Sequence, residues 1–273
     1  MTETDLLSQE SHFAFGKNWA SYATLVTETQ IDEAVAGLRR LVGGDLTGKR
    51  FLDIGCGSGL HSLAALRLGA SEVLSLDIDP DSVATTQRML EVHAPGKSWR
   101  VAQRSVFDMD PASMGQFDVV YSWGVLHHTG DMYRAVRTAA SLVAPGGIFV
   151  FALYRYTRLC WFWKMEKRWY TKAGQGAQKF AQKIYVALFR LGKLVQGASF
   201  KDYVANYRSN RGMDFYHDVH DWMGGWPYES ISPAQVARFM QQLQLREVRS
   251  FAYPRTPSGV FGSGCDEYVY TRA

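Results

Sequence analysis

The chain has 273 residues, of which 47% are hydrophobic and 21% are charged, and its net charge is +4. This composition lies near the globular average, so it excludes disordered and fibrous proteins, and the length predicts one domain with an elaboration. The three cysteines, Cys56, Cys160 and Cys265, are odd in number and far apart, so we predict neither a disulfide framework nor a zinc site.

In chain order, an aromatic-rich stretch at 11–22 comes first, and short apolar strands then alternate with helices from Phe51 to Tyr154. The predicted helices of this part are 28–42, 61–68, 80–93 and 132–142. The predicted strands are 50–54, 72–77, 99–103, 117–122 and 148–153, with a Pro-Gly-Gly turn at 145–147. This alternation predicts an α/β fold, a parallel sheet with helices on both faces.

Residues 155 to about 225 break the alternation and are predicted to form two or three helices. The alternation then resumes, with a predicted helix at 233–243 and predicted strands at 247–252 and 266–271. We therefore predict four segments along the chain. They are an N-terminal lid and helix (1–45), a ligand-binding core (46–154), a helical cap insertion (155–228) and a C-terminal completion of the core sheet (229–273).

The charge is unevenly placed along the chain. From Ala152 to Met213, 13 basic residues face two acidic ones, a balance of +11, and the remainder of the chain is −7. The helix near 180–195 carries an apolar stripe, with its basic residues on another face. That stripe consists of Phe180, Ile184, Leu188, Leu191 and Val195.

Three interpretations of this basic, aromatic cap stay open. It is a lid that packs on the sheet, a binding surface for an anionic acceptor (nucleotide sugar, phospholipid or acyl-carrier conjugate), or a helix that docks on a membrane surface. The rest of the chain is acidic, so we expect no nucleic-acid partner. The polar, acidic N-terminus and the lack of an apolar run of about 18 residues predict a cytoplasmic protein without a signal peptide or membrane span.

A glycine-rich sequence, LDIGCGSG at 52–59, lies between a predicted strand and a predicted helix. Glycines there allow a sharp turn and a close approach of the backbone to a ligand. Asp77 ends the next strand, where a carboxylate accepts both hydroxyls of a ribose. Asp53 stands before the loop and would repel a pyrophosphate. The pattern therefore favours a cationic nucleoside, S-adenosylmethionine, over a dinucleotide.

Four segments together resemble the successive motifs of class I S-adenosylmethionine-dependent methyltransferases. They are LDIGCGSG (52–59), SLDIDP (75–80), FDVVYSWGVLHHTGD (117–131) and LVAPGGIFVFALY (142–154). The resemblance covers roughly Lys49 to Tyr154 and implies a Rossmann-like sheet with S-adenosylmethionine as cofactor.

The resemblance also implies a set of cofactor-binding residues. The methionine part is expected near Asp53, Gly55, Cys56, Gly57, Ser58 and Gly59, the ribose near Asp77 and Ile78, the adenine near Ser105, Val106 and Phe107, and the sulfonium near Ser122 and Trp123. Many family members carry an acid where this chain has Ser105, and Asp108 is the nearby acid here.

Two adjacent histidines, His127 and His128, follow the fourth strand at the edge where open α/β sheets bind ligands. A histidine there can act as general base, since its pKa lies near neutrality, and the alternative is that the pair packs and caps the loop. We predict His127 ahead of His128 as the base, with Tyr154 as a third catalytic candidate.

Further aromatic and polar residues are predicted to contact the acceptor or to close over the cofactor, where aromatic faces stabilise a sulfonium. These lid and acceptor residues are Phe15, Trp19, Tyr22, Tyr156, Tyr216, His217 and Trp226. The HDxHD spacing at 217–221 lacks a third anchor, so we predict no metal site.

The predicted function is methylation of an oxygen or nitrogen atom of a small molecule, in a secondary-metabolite, glycan or lipid pathway. One alternative is a cyclase in which the α-amine of S-adenosylmethionine attacks its own γ-carbon. That reaction gives azetidine-2-carboxylic acid and methylthioadenosine. The other alternative is a non-catalytic cofactor-binding protein. The oligomeric state is left open.

Overall fold

The computed structural model describes residues 13, 15–207, 215–252 and 259–273, and within them seven strands form one sheet. The strands are β1 (Arg50–Ile54), β2 (Glu72–Asp77), β3 (Trp99–Gln103), β4 (Phe117–Trp123), β5 (Val143–Tyr154), β6 (Leu245–Phe251) and β7 (Cys265–Arg272). Their order is β3-β2-β1-β4-β5-β7-β6. Strands β1 to β5 pair in parallel, and β7 lies antiparallel between β5 and β6.

Eleven α-helices accompany the sheet in the described residues. They are α1 (Phe15–Ala23), α2 (Glu28–Val42), α3 (Leu60–Arg67), α4 (Pro80–His93), α5 (Pro111–Met114), α6 (Met132–Ser141), α7 (Cys160–Lys172), α8 (Gln175–Val195), α9 (Phe200–Ala205), α10 (Phe215–Gly224) and α11 (Pro233–Gln242). Two 3₁₀ turns lie at Val106–Asp108 and Leu126–His128.

The predicted α/β class, with helices on both faces, is confirmed. Successive strand residues point to opposite faces, so Phe51 packs with α2, α3 and α4 while its neighbour Leu52 packs with α6 and α11. Both faces of β1 are therefore buried.

Helix α1 lies in the aromatic-rich stretch at 11–22, where no helix was predicted. Glycine, asparagine and aromatic residues are weak helix formers, so local propensity gives no signal here. Tertiary contacts hold the helix instead. The Gly16 backbone amide donates to Asp79 Oδ2 at 3.0 Å, and the Asn18 side-chain amide donates to the His217 carbonyl oxygen at 3.2 Å.

The Pro-Gly-Gly turn predicted at 145–147 lies inside strand β5. Phe117 pairs with Val143 and Val119 pairs with Ile148, so β5 carries extra residues opposite β4. A Cβ on Gly147 would stand 2.9 Å from the carbonyl oxygens of Ala144 and Asp118, which explains the glycine. The segment is thus a bulge within one strand.

The cap contains four described helices, α7 to α10, where two or three were predicted. The predicted apolar stripe of α8 lies in solvent, each of its residues 45–80% exposed. A second apolar face of the same helix, with Ala181, Tyr185 and Phe189, packs inside the cap. The sequence periodicity thus identified the exposed apolar face of α8, whereas the face that packs inside the cap is the other one.

Charged side chains tie the cap together and to the sheet. Arg155 binds Asp266 of β7 through two bonds of 2.7 and 2.5 Å. Lys167 is fully buried, donates to the Trp222 carbonyl, and lies 3.5 Å from the centre of the Trp222 ring. Burial lowers the pKa of Lys167 to about 7.

Of the described helices, none is long and apolar enough to cross a membrane.

Candidate cofactor and acceptor site

A cavity of about 830 Å³ opens at the carboxyl ends of the parallel strands. Its floor is the loop after β1, and its walls come from α1, α2, the cap and β7. This is the edge at which open α/β sheets bind ligands, because the loops leaving neighbouring strands diverge there. The cavity continues from the glycine loop to α8 and α10 of the cap.

The glycine loop turns through left-handed backbone at two cavity-lining residues, Gly55 with φ +78° and Gly57 with φ +54°. A Cβ on Gly55 would stand 2.4 Å from a methyl group of Val125. A Cβ on Gly57 would stand 3.3 Å from the Trp19 ring of α1. Without side chains, Gly55 and Gly57 leave room for Val125 and the Trp19 ring against the loop, and the loop backbone forms a cradle that faces the cavity.

Asp77 lies at the rim of this cradle, at the end of β2. Its Oδ2 accepts the Gly57 amide at 3.0 Å, and its Oδ1 accepts the Asp79 amide at 2.9 Å. Burial raises the pKa of Asp77 to about 6, against the lowering effect of these backbone donors. The side chain is thus mostly a carboxylate at neutral pH, with the acceptor chemistry that ribose hydroxyls need.

The predicted site residues fall into two groups. Those that line the cavity are Phe15, Trp19, Tyr22, Gly55, Cys56, Gly57, Ser58, Asp77, Ile78, Ser105, Val106, Phe107, Trp123, His128 and Tyr154. Those that the structure places outside the cavity lining are Asp53, Gly59, Ser122, His127, Tyr156, Tyr216, His217 and Trp226.

At the predicted adenine end, Ser105, Val106 and Phe107 line the cavity, and Asp108 does not. The Ser105 hydroxyl accepts the Phe107 amide at 3.3 Å, and so caps the short 3₁₀ turn. The structure thus puts Ser105, and not the nearby acid Asp108, at this end of the cavity.

Asp53, expected at the methionine part, instead lies behind the glycine loop. It is 2% exposed, and its Oδ2 accepts the Ser62 hydroxyl at 2.6 Å. The Ser62 hydroxyl lies 2.7 Å from that of Ser75. Burial raises the pKa of Asp53 to about 7. Strand β1 turns this side chain toward α3, so it supports the loop from beneath.

This placement gives a pH-dependent prediction for Asp53→Asn. The folded pKa of about 7 lies above the ordinary value of 3.8, so the buried carboxyl costs stability progressively as pH rises through this window. Near pH 4 we expect the variant and the parent to have similar free energies of unfolding. Above neutrality we expect that of the variant to be higher by up to about 4 kcal/mol. Urea unfolding at both ends of the window measures this difference. A difference independent of pH would contradict the placement.

The two histidines occupy different environments, which corrects the preference for His127. His127 is fully buried, its ring packs tilted against that of Tyr154 with the ring centres 3.9 Å apart, and burial holds its pKa well below the usual range. His128 lines the cavity, and its Nδ1 lies 2.7 Å from the Pro227 carbonyl oxygen. A carbonyl only accepts, so Nδ1 carries the hydrogen and Nε2 of the neutral ring is an acceptor.

Tyr154 lines the cavity beside both histidines. Its backbone amide donates to His127 Nδ1 at 3.3 Å, and its ring meets Trp222 edge-to-face at 5.1 Å. Burial raises the pKa of its phenol well above the ordinary value, so the group stays protonated at neutral pH. The Tyr154 phenol is therefore a neutral group in the cavity wall. It can donate a hydrogen bond but is not a base at neutral pH.

Four predicted lid residues are placed elsewhere. Tyr156 and Tyr216 are 61% and 57% exposed, on the outside of the molecule. Trp226 is buried in an aromatic cluster with Trp163 and Tyr228. The His217 ring lies 3.2 Å from the Ser21 hydroxyl, so it links α10 to α1. None of these four residues lines the cavity.

The structure adds cavity residues that the sequence did not indicate. Glu267 of β7 accepts the Trp123 indole N–H at 2.9 Å and pairs with Arg40 at 2.5 Å. Asp218 and Asp221 of α10 line the cap end. Asp221 is 8% exposed, Oδ1 has no hydrogen-bond partner in the described part of the chain, and burial raises its pKa well above normal.

Comparisons with known proteins identify similar methyltransferases. Residues 27–247 match a family model described as a methyltransferase domain. A ubiquinone biosynthesis O-methyltransferase of Xanthomonas campestris is 39% identical over 113 residues, 40% of this chain and 45% of the relative. A tRNA U34 carboxymethyltransferase of Methylococcus capsulatus is 36% identical over 115 residues, 41% of this chain and 35% of the relative. The chain thus spans less than half the length of these curated relatives.

Two solved structures share the fold. The magnesium protoporphyrin IX methyltransferase of Synechocystis has a TM-score of 0.53 at 18% identity, with 89% of this chain and 82% of that chain covered. An S-adenosylmethionine-dependent methyltransferase of Mesorhizobium loti has a TM-score of 0.53 at 17% identity, with 87% and 96% covered.

The strand order, the glycine cradle and the cavity at the carboxyl edge define a class I methyltransferase fold. The chain belongs to the methyltransferase domain family.

Proposed function

We propose that this chain methylates an oxygen or nitrogen atom of a small, largely apolar molecule held beneath the cap. The extent of the cavity carries this proposal. It continues past the glycine loop into a compartment with Phe189, Phe215 and Val219 in its wall. Its volume of about 830 Å³ lies toward the upper end of ligand pockets, which run from about 300 to 1,000 Å³.

The residues of the glycine end fit S-adenosylmethionine, which supplies a methyl group on a positively charged sulfur. Asp77 would hold the ribose, Gly55 to Ser58 would admit the methionine part, and Ile78 with Val106 would flank the adenine. Trp19 of α1 packs against Gly57 and covers the loop from the side of the lid. In this arrangement the lid and the loop fix the methyl donor from opposite sides.

The cap end supplies the groups that an acceptor needs. His128 would take a proton at Nε2 from an attacking hydroxyl or ammonium, since its Nδ1 is held by the Pro227 carbonyl. Asp221 offers a buried oxygen to a polar group of the acceptor. The remaining task is to hold the attacking atom about 3 Å from the methyl carbon and in line with the bond that breaks.

The enclosed, aromatic wall favours a small molecule over a nucleic acid, because it presents apolar surface rather than a basic groove. A secondary-metabolite, glycan or lipid pathway and a cytoplasmic location stay predictions from the sequence. The acceptor compartment also distinguishes the proposal from the cyclase, in which the cofactor is the only substrate and such a compartment has no role.

Mass spectrometry of the nucleoside products tests this proposal. Purified protein is incubated with S-adenosylmethionine alone, and then with a panel of phenols, hydroxylated aromatic molecules and aromatic amines. We expect the cofactor to persist alone and S-adenosylhomocysteine to form with an acceptor. Methylthioadenosine produced with turnover, without any acceptor, would overturn the proposal in favour of the cyclase. The Asp77→Ala protein gives the background in both arms.

A further inference from the structure

The outside of the cap carries an apolar surface that the fold does not use. We define this outer cap surface as Trp161, Met165 and Trp169 of α7 with Phe180, Ile184, Leu188, Leu191, Leu194 and Val195 of α8. Each of these side chains is 45–80% exposed. On α8 they recur at helical spacing over the 16 residues from Phe180 to Val195, which is about 24 Å of helix. Soluble monomers rarely expose apolar stripes of this length.

Other faces of the same two helices hold the cap together. On α7 the buried residues include Trp163 and Tyr170, and the Trp163 indole donates to the Gly259 carbonyl at 2.7 Å. On α8 the Tyr185 hydroxyl donates to the Phe261 carbonyl at 3.0 Å, and the Phe189 ring packs on Phe215. The outer cap surface is therefore an addition to the core and not part of it.

Basic residues accompany this surface on both helices. They are Lys164, Arg168 and Lys172 on α7 and Lys179, Lys183 and Arg190 on α8. The two helices contain one acidic residue, Glu166, whose carboxylate oxygens are buried. No salt bridge within the described residues uses a basic side chain of α7 or α8. The positive charges of this surface are therefore available to an anion outside the protein.

We propose that the outer cap surface docks on an anionic lipid bilayer, with α7 and α8 lying in the plane of the interface. Basic amphipathic helices bind this way, through apolar burial together with attraction to anionic headgroups. The indole rings of Trp161 and Trp169 are suited to the headgroup level of a bilayer. Each has an apolar ring that contacts the acyl chains and a polar N–H that reaches water. This contact lies at the membrane surface and does not require a helix that spans the bilayer.

Charge favours a bilayer over a second copy of this chain. The segment 152–213 carries +11, so two caps facing each other would repel, while the same charge attracts anionic lipid. The proposal rests on the outer cap surface alone and is independent of the acceptor. A failure of methyl transfer would leave it unaffected.

Vesicle co-sedimentation of the full chain tests the proposal. The vesicles are phosphatidylcholine alone or phosphatidylcholine with phosphatidylglycerol, at low and at high salt. Two double variants carry the test, Leu188→Gln with Leu191→Gln and Lys179→Gln with Lys183→Gln. Matched controls on the body are Val92→Gln, at a site 70% exposed, and Lys49→Gln with Lys97→Gln.

We expect binding to the anionic vesicles only, weakened by salt, and lowered about tenfold or more by either cap variant but not by the controls. S-adenosylhomocysteine affinity, measured in parallel, shows that each variant is folded. Absence of binding to anionic vesicles would overturn the proposal. So would a stable dimer in solution that the leucine variant converts to a monomer, because the face would then be an interface between copies.

Discussion

Asp77→Ala is expected to weaken S-adenosylhomocysteine binding by about a hundredfold to ten-thousandfold. A carboxylate that accepts two ribose hydroxyls makes two charge-assisted bonds, about 1.5–3 kcal/mol each, and about 1.4 kcal/mol is tenfold in affinity. The substitution also leaves the amides of Gly57 and Asp79 without their acceptor, which loosens the glycine loop. Calorimetric titration with S-adenosylhomocysteine measures the loss directly.

Two further proteins sharpen this test. Asp77→Asn keeps an acceptor oxygen without the charge, so its affinity should fall between the parent and the alanine variant. Asp110→Ala removes an exposed helix-capping carboxylate that does not line the cavity, so it should bind like the parent. Unchanged affinity in a folded Asp77→Ala protein would refute the ribose assignment.

His128→Gln is expected to lower turnover by a factor of about 10² to 10⁴, the usual contribution of a general base. Glutamine keeps a donor for the Pro227 carbonyl but has no ring nitrogen to take the proton. S-adenosylhomocysteine affinity should change by no more than a few-fold. The pH–rate profile, measured with an acceptor found in the product screen, should also lose the limb on which activity rises as the imidazole loses its proton.

His127→Phe is the matched control for this effect. Phenylalanine keeps an aromatic ring against Tyr154 and removes both nitrogens from a site outside the cavity lining, at the cost of the weak bond that the Tyr154 amide donates to Nδ1. We expect near-parental turnover and an unchanged pH profile. The opposite pattern, with a large loss in His127→Phe and none in His128→Gln, would return the role of base to His127.

The sheet and the cofactor loop follow from local sequence patterns. Strands β1 to β4 begin and end close to the predicted residues, because short apolar runs between turns are strong signals. The glycine loop and Asp77 are near each other because parallel strands bring their carboxyl ends to one edge. The resemblance to a known family rests on these same segments.

The site residues that sequence reasoning missed depend on tertiary packing. The short 3₁₀ turn at Leu126–His128 decides which of two adjacent histidines faces the cavity, and no periodicity encodes that rotation. Glu267 reaches the site because β7 inserts antiparallel beside β5. Helix α8 has apolar residues on two faces, so its pattern alone does not tell which face packs.

The most direct test of the central claim is a crystal structure of the protein with S-adenosylhomocysteine bound. We predict the ribose hydroxyls on the Asp77 carboxylate and the methionine part along Gly55 to Ser58, beneath Trp19. The compartment beside Phe189, Asp221 and His128 should stay open for an acceptor. A bound molecule that fills the cap compartment, or that contacts neither Asp77 nor the glycine loop, would contradict the account.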